Sequence, residues 1–137
     1  MEGFVDPRIN LRLAERGFQI IGYKEYLELE GVLFTHIPMK GGQPVGGQYA
    51  LQRAFEITPK ALVFAHLHRY EFLHGRRLKE DKIPILCAGC FFDEEYEEDF
   101  LKGCPNPYWR GVVLLDIYKT GQFDAAQICL DKLKGGI

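Results

Sequence analysis

The stretch Ala61-Leu62-Val63-Phe64-Ala65-His66-Leu67-His68-Arg69-Tyr70-Glu71 decides how this chain is read. An apolar run ends abruptly in two histidines spaced i, i+2 and is followed by charged residues. That is the pattern of a buried strand delivering imidazoles at its C-terminal tip. Taken alone, the His-x-His spacing favours two ordinary strand-end histidines. The rest of the chain has to decide between the two readings.

The same grammar occurs upstream. Residues 23–30 alternate through Tyr26, Leu27, Glu28 and Leu29, Gly31 punctuates, and Val32-Leu33-Phe34-Thr35 runs up to His36, just before Ile37-Pro38. This predicts a hairpin turning at Glu30-Gly31, with a histidine at the tip of its second strand. Residues 40–47, rich in glycine with Pro44, read as a flexible connection; no Gly-Lys-Ser/Thr closes them, so they are not a phosphate-binding P-loop. Residues 48–57 place Leu51, Ala54, Phe55 and Ile57 at helical spacing, and Thr58-Pro59 stops the run. A strand–helix–strand crossover brings both strand tips to one edge when the strands are parallel. His36, His66 and His68 then converge on one rim.

The remaining elements complete a single domain. Residues 8–16 predict a short helix capped by Gly17. Residues 70–78 predict a strand with a turn or edge at Gly75-Arg76-Arg77, and residues 83–88 a strand ended by Gly89. Residues 109–118 and 123–130 predict a hairpin about Lys119-Thr120-Gly121-Gln122, and residues 132–137 a frayed end. Residues 93–99 hold six carboxylates in seven positions; their spacing does not match a calcium loop, and they read as a solvated loop or exposed helix. A chain of 137 residues suits one core, so the expectation is one α/β domain over 1–137, with mixed β-sheet and two or three helices.

Charge and composition narrow the function classes. A net charge of −2 gives no global attraction to nucleic acid or to an anionic membrane, which leaves only a local contact such as Arg76-Arg77. No apolar run approaches the roughly 18 to 20 residues that span a bilayer. The first residues do not pair a basic region with an apolar one, so a cytoplasmic location is expected, with Cys87, Cys90, Cys104 and Cys129 reduced.

Neutral imidazoles on strand tips suit a divalent metal ion such as Mn, Zn, Fe or Ni, which lowers the pKa of a bound water. Carboxylates, which hydrolytic sites of this type use to balance charge and bridge ions, are scarce near these tips: Asp116 lies within a strand and Asp6 near the start. Cys87-Ala88-Gly89-Cys90 has the spacing of a zinc knuckle, with Cys104 and either Cys129 or His74 as a second pair. Cys87, however, sits in an apolar strand and reads as core.

The order of these parts resembles the second half of the calcineurin-like metallophosphoesterases. There a His closes one strand, a Gly-His-x-His motif closes the next, and a further strand runs into a small turn, here Ala88-Gly89-Cys90. The resemblance covers roughly residues 8–130. It implies that His36 and His66 bind the second metal of a dimetal site and His68 the first, and that the fold is half of a β-sandwich. Ala65 replaces the usual glycine before the first histidine. The family's first half supplies Asp-x-His, the bridging Asp of Gly-Asp-x-x-Asp, and Gly-Asn-His-Asp/Glu, none of which occurs here. Gly3-Phe4-Val5-Asp6 can be laid on the last of these, with Phe4 and Val5 in place of the functional Asn and His. The expectation is a phosphomonoester or phosphodiester hydrolase lobe whose dimetal site is incomplete. With one sheet face exposed, the expectation is a homo-oligomer, a separately encoded N-terminal half or a rearranged compact fold, with one ion or none held by the chain alone. The alternative is a non-catalytic interaction module that kept the fold.

Overall fold

The structure, a computed structural model, describes residues 11–92 and 107–135. Its elements in chain order are β1 (Leu27–Leu29), β2 (Val32–Thr35), β3 (Met39–Lys40), β4 (Gln43–Pro44), α1 (Ala50–Ile57), β5 (Ala61–Phe64), β6 (Tyr70–Arg76), β7 (Lys82–Ala88), β8 (Gly111–Lys119), β9 (Gln122–Cys129) and α2 (Leu130–Lys134). This is an α/β architecture with a mixed sheet and two helices.

The five-stranded sheet has the order β1-β2-β5-β7-β6. Its three inner strands β2, β5 and β7 are parallel, while the edge strands β1 and β6 run antiparallel to their neighbours. The hairpin turn falls where the sequence places it. Leu29 pairs with Val32 across Glu30-Gly31, and both turn residues have positive φ (+48° and +79°), the twist that matches flanking strands.

Strand alternation divides the core. Leu62, Phe64, Ile85 and Cys87 face α1 and pack with its Ala50, Leu51 and Ala54. Val32, Ala61, Val63 and Leu86 face the opposite way and pack under the β8–β9 hairpin, chiefly against Phe123, whose ring stacks on Phe72. β5 is buried along its whole length because it is covered on both faces, and that is why it reads as an unbroken apolar run. Helix α1 is held at its C-terminus by Arg77, which donates to the carbonyls of Phe55 (2.7 Å) and Thr58 (2.6 Å) while its guanidinium lies over the Phe55 ring. Arg77 is therefore a helix cap and not part of a basic patch.

Three sequence expectations change. Residues 40–47 are not an open loop: β3 and β4 form a miniature hairpin about Gly41-Gly42, both at positive φ, and the Val45 N–H donates to the Pro38 carbonyl. The C-terminus is not frayed through 132–134. These residues belong to α2, which places Asp131 in its first turn and Lys132 and Lys134 in its last, in accord with the helix dipole. The helix expected over 8–16 lies partly outside the described residues, and 11–17 is turn. Within that turn Phe18 N–H donates to Leu13 O and Gly17 N–H to Ala14 O, with Gly17 at φ +79°. The acidic run 93–99, Cys104 and the Gly3-Phe4-Val5-Asp6 alignment fall outside the described residues. No helix among those described is long and apolar enough to cross a membrane.

The fit of α1 on the sheet gives a direct test. A Cβ on Gly75 would stand 2.3 Å from the Phe55 ring, so Gly75→Ala has to displace that ring or the helix. The expected cost is about 1 to 3 kcal/mol for overpacking, against about 2 to 5 kcal/mol for the cavity left by Leu62→Ala. Urea unfolding midpoints measure both.

Candidate functional site

The site grows from the register of two parallel strands. Val32 pairs with Ala61 and Thr35 with Phe64, so β2 and β5 end level with one another. Past the strand ends the ladder continues for one more bond, Ala65 N–H to His36 O at 3.2 Å. Buried Ile37 and Pro38 then fix the chain leaving His36. His36 and His66 consequently project side by side from the C-terminal edge of the sheet. Nε2 of His36 lies 3.1 Å from Nδ1 of His66, the rings meeting nearly edge to face at a centroid distance of 5.1 Å. Both side chains are solvent-accessible.

His66 occupies an unusual backbone conformation. Its φ is +61°, and the N–H of Leu67 donates across it to the Ala65 carbonyl at 2.6 Å, forming a three-residue turn of the rare positive-φ kind. His68 is also left-handed, at φ +59°. Between them Leu67 packs against the α1-side core. Each such non-glycine residue costs roughly 1 to 2 kcal/mol, and the surrounding contacts hold the segment in this state. Among these are the Cys87 thiol on the Ala65 carbonyl and the Trp109 N–H on the His68 carbonyl (2.8 Å).

The structure brings together two of the three predicted histidines. The His68 ring sits instead against Tyr108 (4.9 Å) and Phe92 (5.4 Å), both edge to face. The Arg110 guanidinium lies over those same two rings, at 5.9 Å and 5.3 Å. Tyr23 flanks His36 on the other side, with centroids 5.6 Å apart. Sequence reasoning missed Tyr23, Phe92 and Tyr108, because aromatic residues in loops carry no periodic signal that ties them to a distant strand tip.

The contact is a hydrogen bond between the two rings, donor and acceptor set by their tautomers, and its 3.1 Å nitrogen–nitrogen separation also falls within the span of two ligands of one metal ion. Two metal–nitrogen bonds of about 2.0 to 2.1 Å meeting at roughly 90° to 109° span about 2.8 to 3.4 Å. Partial desolvation at the rim first, then the neighbouring His36 and His68, hold the His66 pKa below the usual histidine value, which favours the neutral ring. Among the described residues no group of three or more His, Cys, Asp or Glu side chains is arranged to hold an ion. Cys87 is wholly inside the core, and burial raises the pKa of both the Cys87 and the Cys90 thiol.

His66 lends itself to two measurements. Its folded-state pKa is depressed, so the ring is neutral in both states above the unfolded value of about 6.5; as pH falls below that, the unfolded chain takes up the proton first. Stability should therefore drop between about pH 7 and pH 5, and the urea midpoint of His66→Gln should fall less over that range. Because φ is positive, His66→Gly should be more stable than His66→Ala by about 1 kcal/mol, the reverse of the usual order in a regular element.

No family model, curated protein or solved structure matches this chain.

Proposed function

We propose that this chain is one lobe of a metal-dependent phosphoesterase of the calcineurin-like kind, acting on phosphomonoesters or phosphodiesters in the cytoplasm. The observation that carries the reading is the His36–His66 pair, 3.1 Å apart and exposed at the C-terminal edge of adjacent parallel strands. A strand-end His, a crossover helix and a strand-end His-x-His in this order fit the second half of that family. Bound there, a divalent ion such as Mn, Zn, Fe or Ni would act as a Lewis acid and would acidify a coordinated water.

The chain's own residues do the positioning. His36 and His66 would hold the ion through Nε2 and Nδ1. Leu67, anchored in the core, and the Cys87 thiol on the Ala65 carbonyl fix the turn that aims His66. His68, the ligand the resemblance assigns to the other metal, is held by Phe92 and Tyr108 apart from this pair. Two neutral nitrogens balance none of a dication's charge, so the two-metal hydrolysis needs oxygen ligands beyond those the described residues place at the rim. A second reading, a non-catalytic interaction module, draws on the lack of a carboxylate-bearing ligand group among the described residues.

Calorimetric titration with manganese or zinc separates the two readings. One ion should bind the isolated chain, with affinity falling tenfold or more in His36→Ala and in His66→Ala and much less in His68→Ala. The chain alone should hydrolyse bis(4-nitrophenyl) phosphate no faster than the metal in buffer. Absence of binding, or binding indifferent to His66, would remove the phosphoesterase reading and leave the interaction module.

A further inference from the structure

Two loops leave the sheet at the histidine edge, one after each strand tip. The chain past His36 runs through β3 and β4 to Val45-Gly46-Gly47 and enters α1. The chain past His66 runs through Leu67 and His68 to Arg69 and enters β6. Strand register sets where these loops begin, but connecting segments are the least stable part of such an edge unless contacts between them hold it.

Arg69 supplies such contacts. Its Nη2 donates to the Gly47 carbonyl at 2.5 Å, and its Nε lies 2.8 Å from Glu71 Oε1. The side chain is only 16% exposed, so it is fixed in place and does not swing as a surface arginine does. Its backbone is held from the other direction, the Gly89 N–H donating to the Arg69 carbonyl at 3.1 Å. From the helix, Arg53 Nη1 donates to the adjacent Gly46 carbonyl, also at 3.1 Å. Two guanidinium groups thus hold consecutive carbonyls of the loop that follows His36, and one of the two belongs to the loop that follows His66.

The segment they hold lies against Leu67. A Cβ on Gly46 would stand 3.9 Å from Leu67 Cδ2, and the neighbouring Val45 is buried in the cluster on which Leu67 packs. Val45 is also tied back toward His36 by its N–H on the Pro38 carbonyl. Leu67 in turn separates the two left-handed histidines. A continuous chain of contacts therefore runs from the Arg69 guanidinium through Gly47, Gly46 and Leu67 to the turn that aims His66.

We infer that Arg69 is a positioning residue for the imidazole pair, cross-bracing the loop that leaves His36 to the loop that leaves His66 and so keeping the His66 ring turned toward His36. Both arms of the guanidinium are in use, and a planar fork suits that double duty where the point-like ammonium of lysine does not. The brace operates in the free chain. Its effect on ion affinity rests on the phosphoesterase reading above.

The test compares the full chain with Arg69→Met, which keeps an unbranched stem and removes the fork, with Arg69→Lys, and with Glu71→Gln, which releases the guanidinium's other anchor. Gly75→Ala, which presses on Phe55 of α1, controls for lost stability alone. Without metal, nuclear Overhauser contacts between the carbon-bound ring protons of His36 and His66 should be present in the parent and in Gly75→Ala. They should weaken at least twofold in Glu71→Gln and vanish in Arg69→Met and Arg69→Lys, with circular dichroism unchanged. Manganese affinity measured by calorimetry should fall tenfold or more in Arg69→Met, although every histidine remains. The sign of that change is diagnostic, because a guanidinium acting only as a nearby cation repels a dication and its removal would tighten binding. Ring contacts that persist in Arg69→Met, ring contacts that weaken equally in Gly75→Ala, or tighter manganese binding in Arg69→Met would each overturn the brace. Where Arg69→Met does not fold, Glu71→Gln decides, and unchanged ring contacts in it would overturn the brace as well. A parent chain that binds no manganese, with ring contacts responding as expected, would remove the metal reading and leave the brace standing.

Discussion

The parallel pairing of β2 with β5 is the constraint on which both the core and the rim depend. Four residues of each strand face each other in register, and this one alignment does two things. It sends Val32, Ala61 and Val63 to the hairpin side and Leu62 and Phe64 to the helix side, closing both clusters. It also ends the two strands level, so that His36 and His66 come within hydrogen-bonding distance. A slip of one residue would turn every β5 side chain to the wrong face and move His66 away from His36 in the same step. The register that brings the imidazole pair together is therefore protected by the full energetics of the core.

The turn beyond β5 is strained, and neighbouring contacts hold it in place. Two histidines at positive φ, separated by one residue, are unfavourable taken singly. Leu67 between them, packed against the helix-side cluster, offsets the cost, as do the backbone bonds from Trp109 N–H to His68 O and from Gly89 N–H to Arg69 O. The outcome is a sharp reversal that separates the two rings, one turned to His36 and the other enclosed by Phe92 and Tyr108. Residues adjacent in a motif are thus given different surroundings by the backbone.

Much of this was legible in the sequence because the signals were local or periodic. The alternation before Glu30-Gly31, the helical spacing of Leu51, Ala54 and Phe55, the unbroken run of β5 and the turn before Gln122 each reflect burial on one face, two faces or none. The level strand tips were legible too, since a right-handed crossover through α1 leaves few alternatives. The β3–β4 hairpin was not, because a glycine-rich segment carries the same composition whether open or folded back on itself, and only the Val45 bond to Pro38 distinguishes them. The position of the His68 ring was hidden for a different reason. It depends on aromatic residues about 24 and 40 positions away along the chain, supplied by Phe92 and Tyr108, and no spacing rule couples loops to a strand tip.

The cleft lined by Phe34, Val63 and Ala88 also holds His36 and Tyr23 in its wall, so the imidazole pair stands beside an apolar hollow and not on a flat surface. Two neutral nitrogens in a solvent-accessible position would by themselves hold a dication weakly, since neither balances its charge and water competes for it. The strand register therefore brings the two rings together but does not supply the charge that a metal site of the proposed kind requires, and among the described residues no third ligand group stands with them.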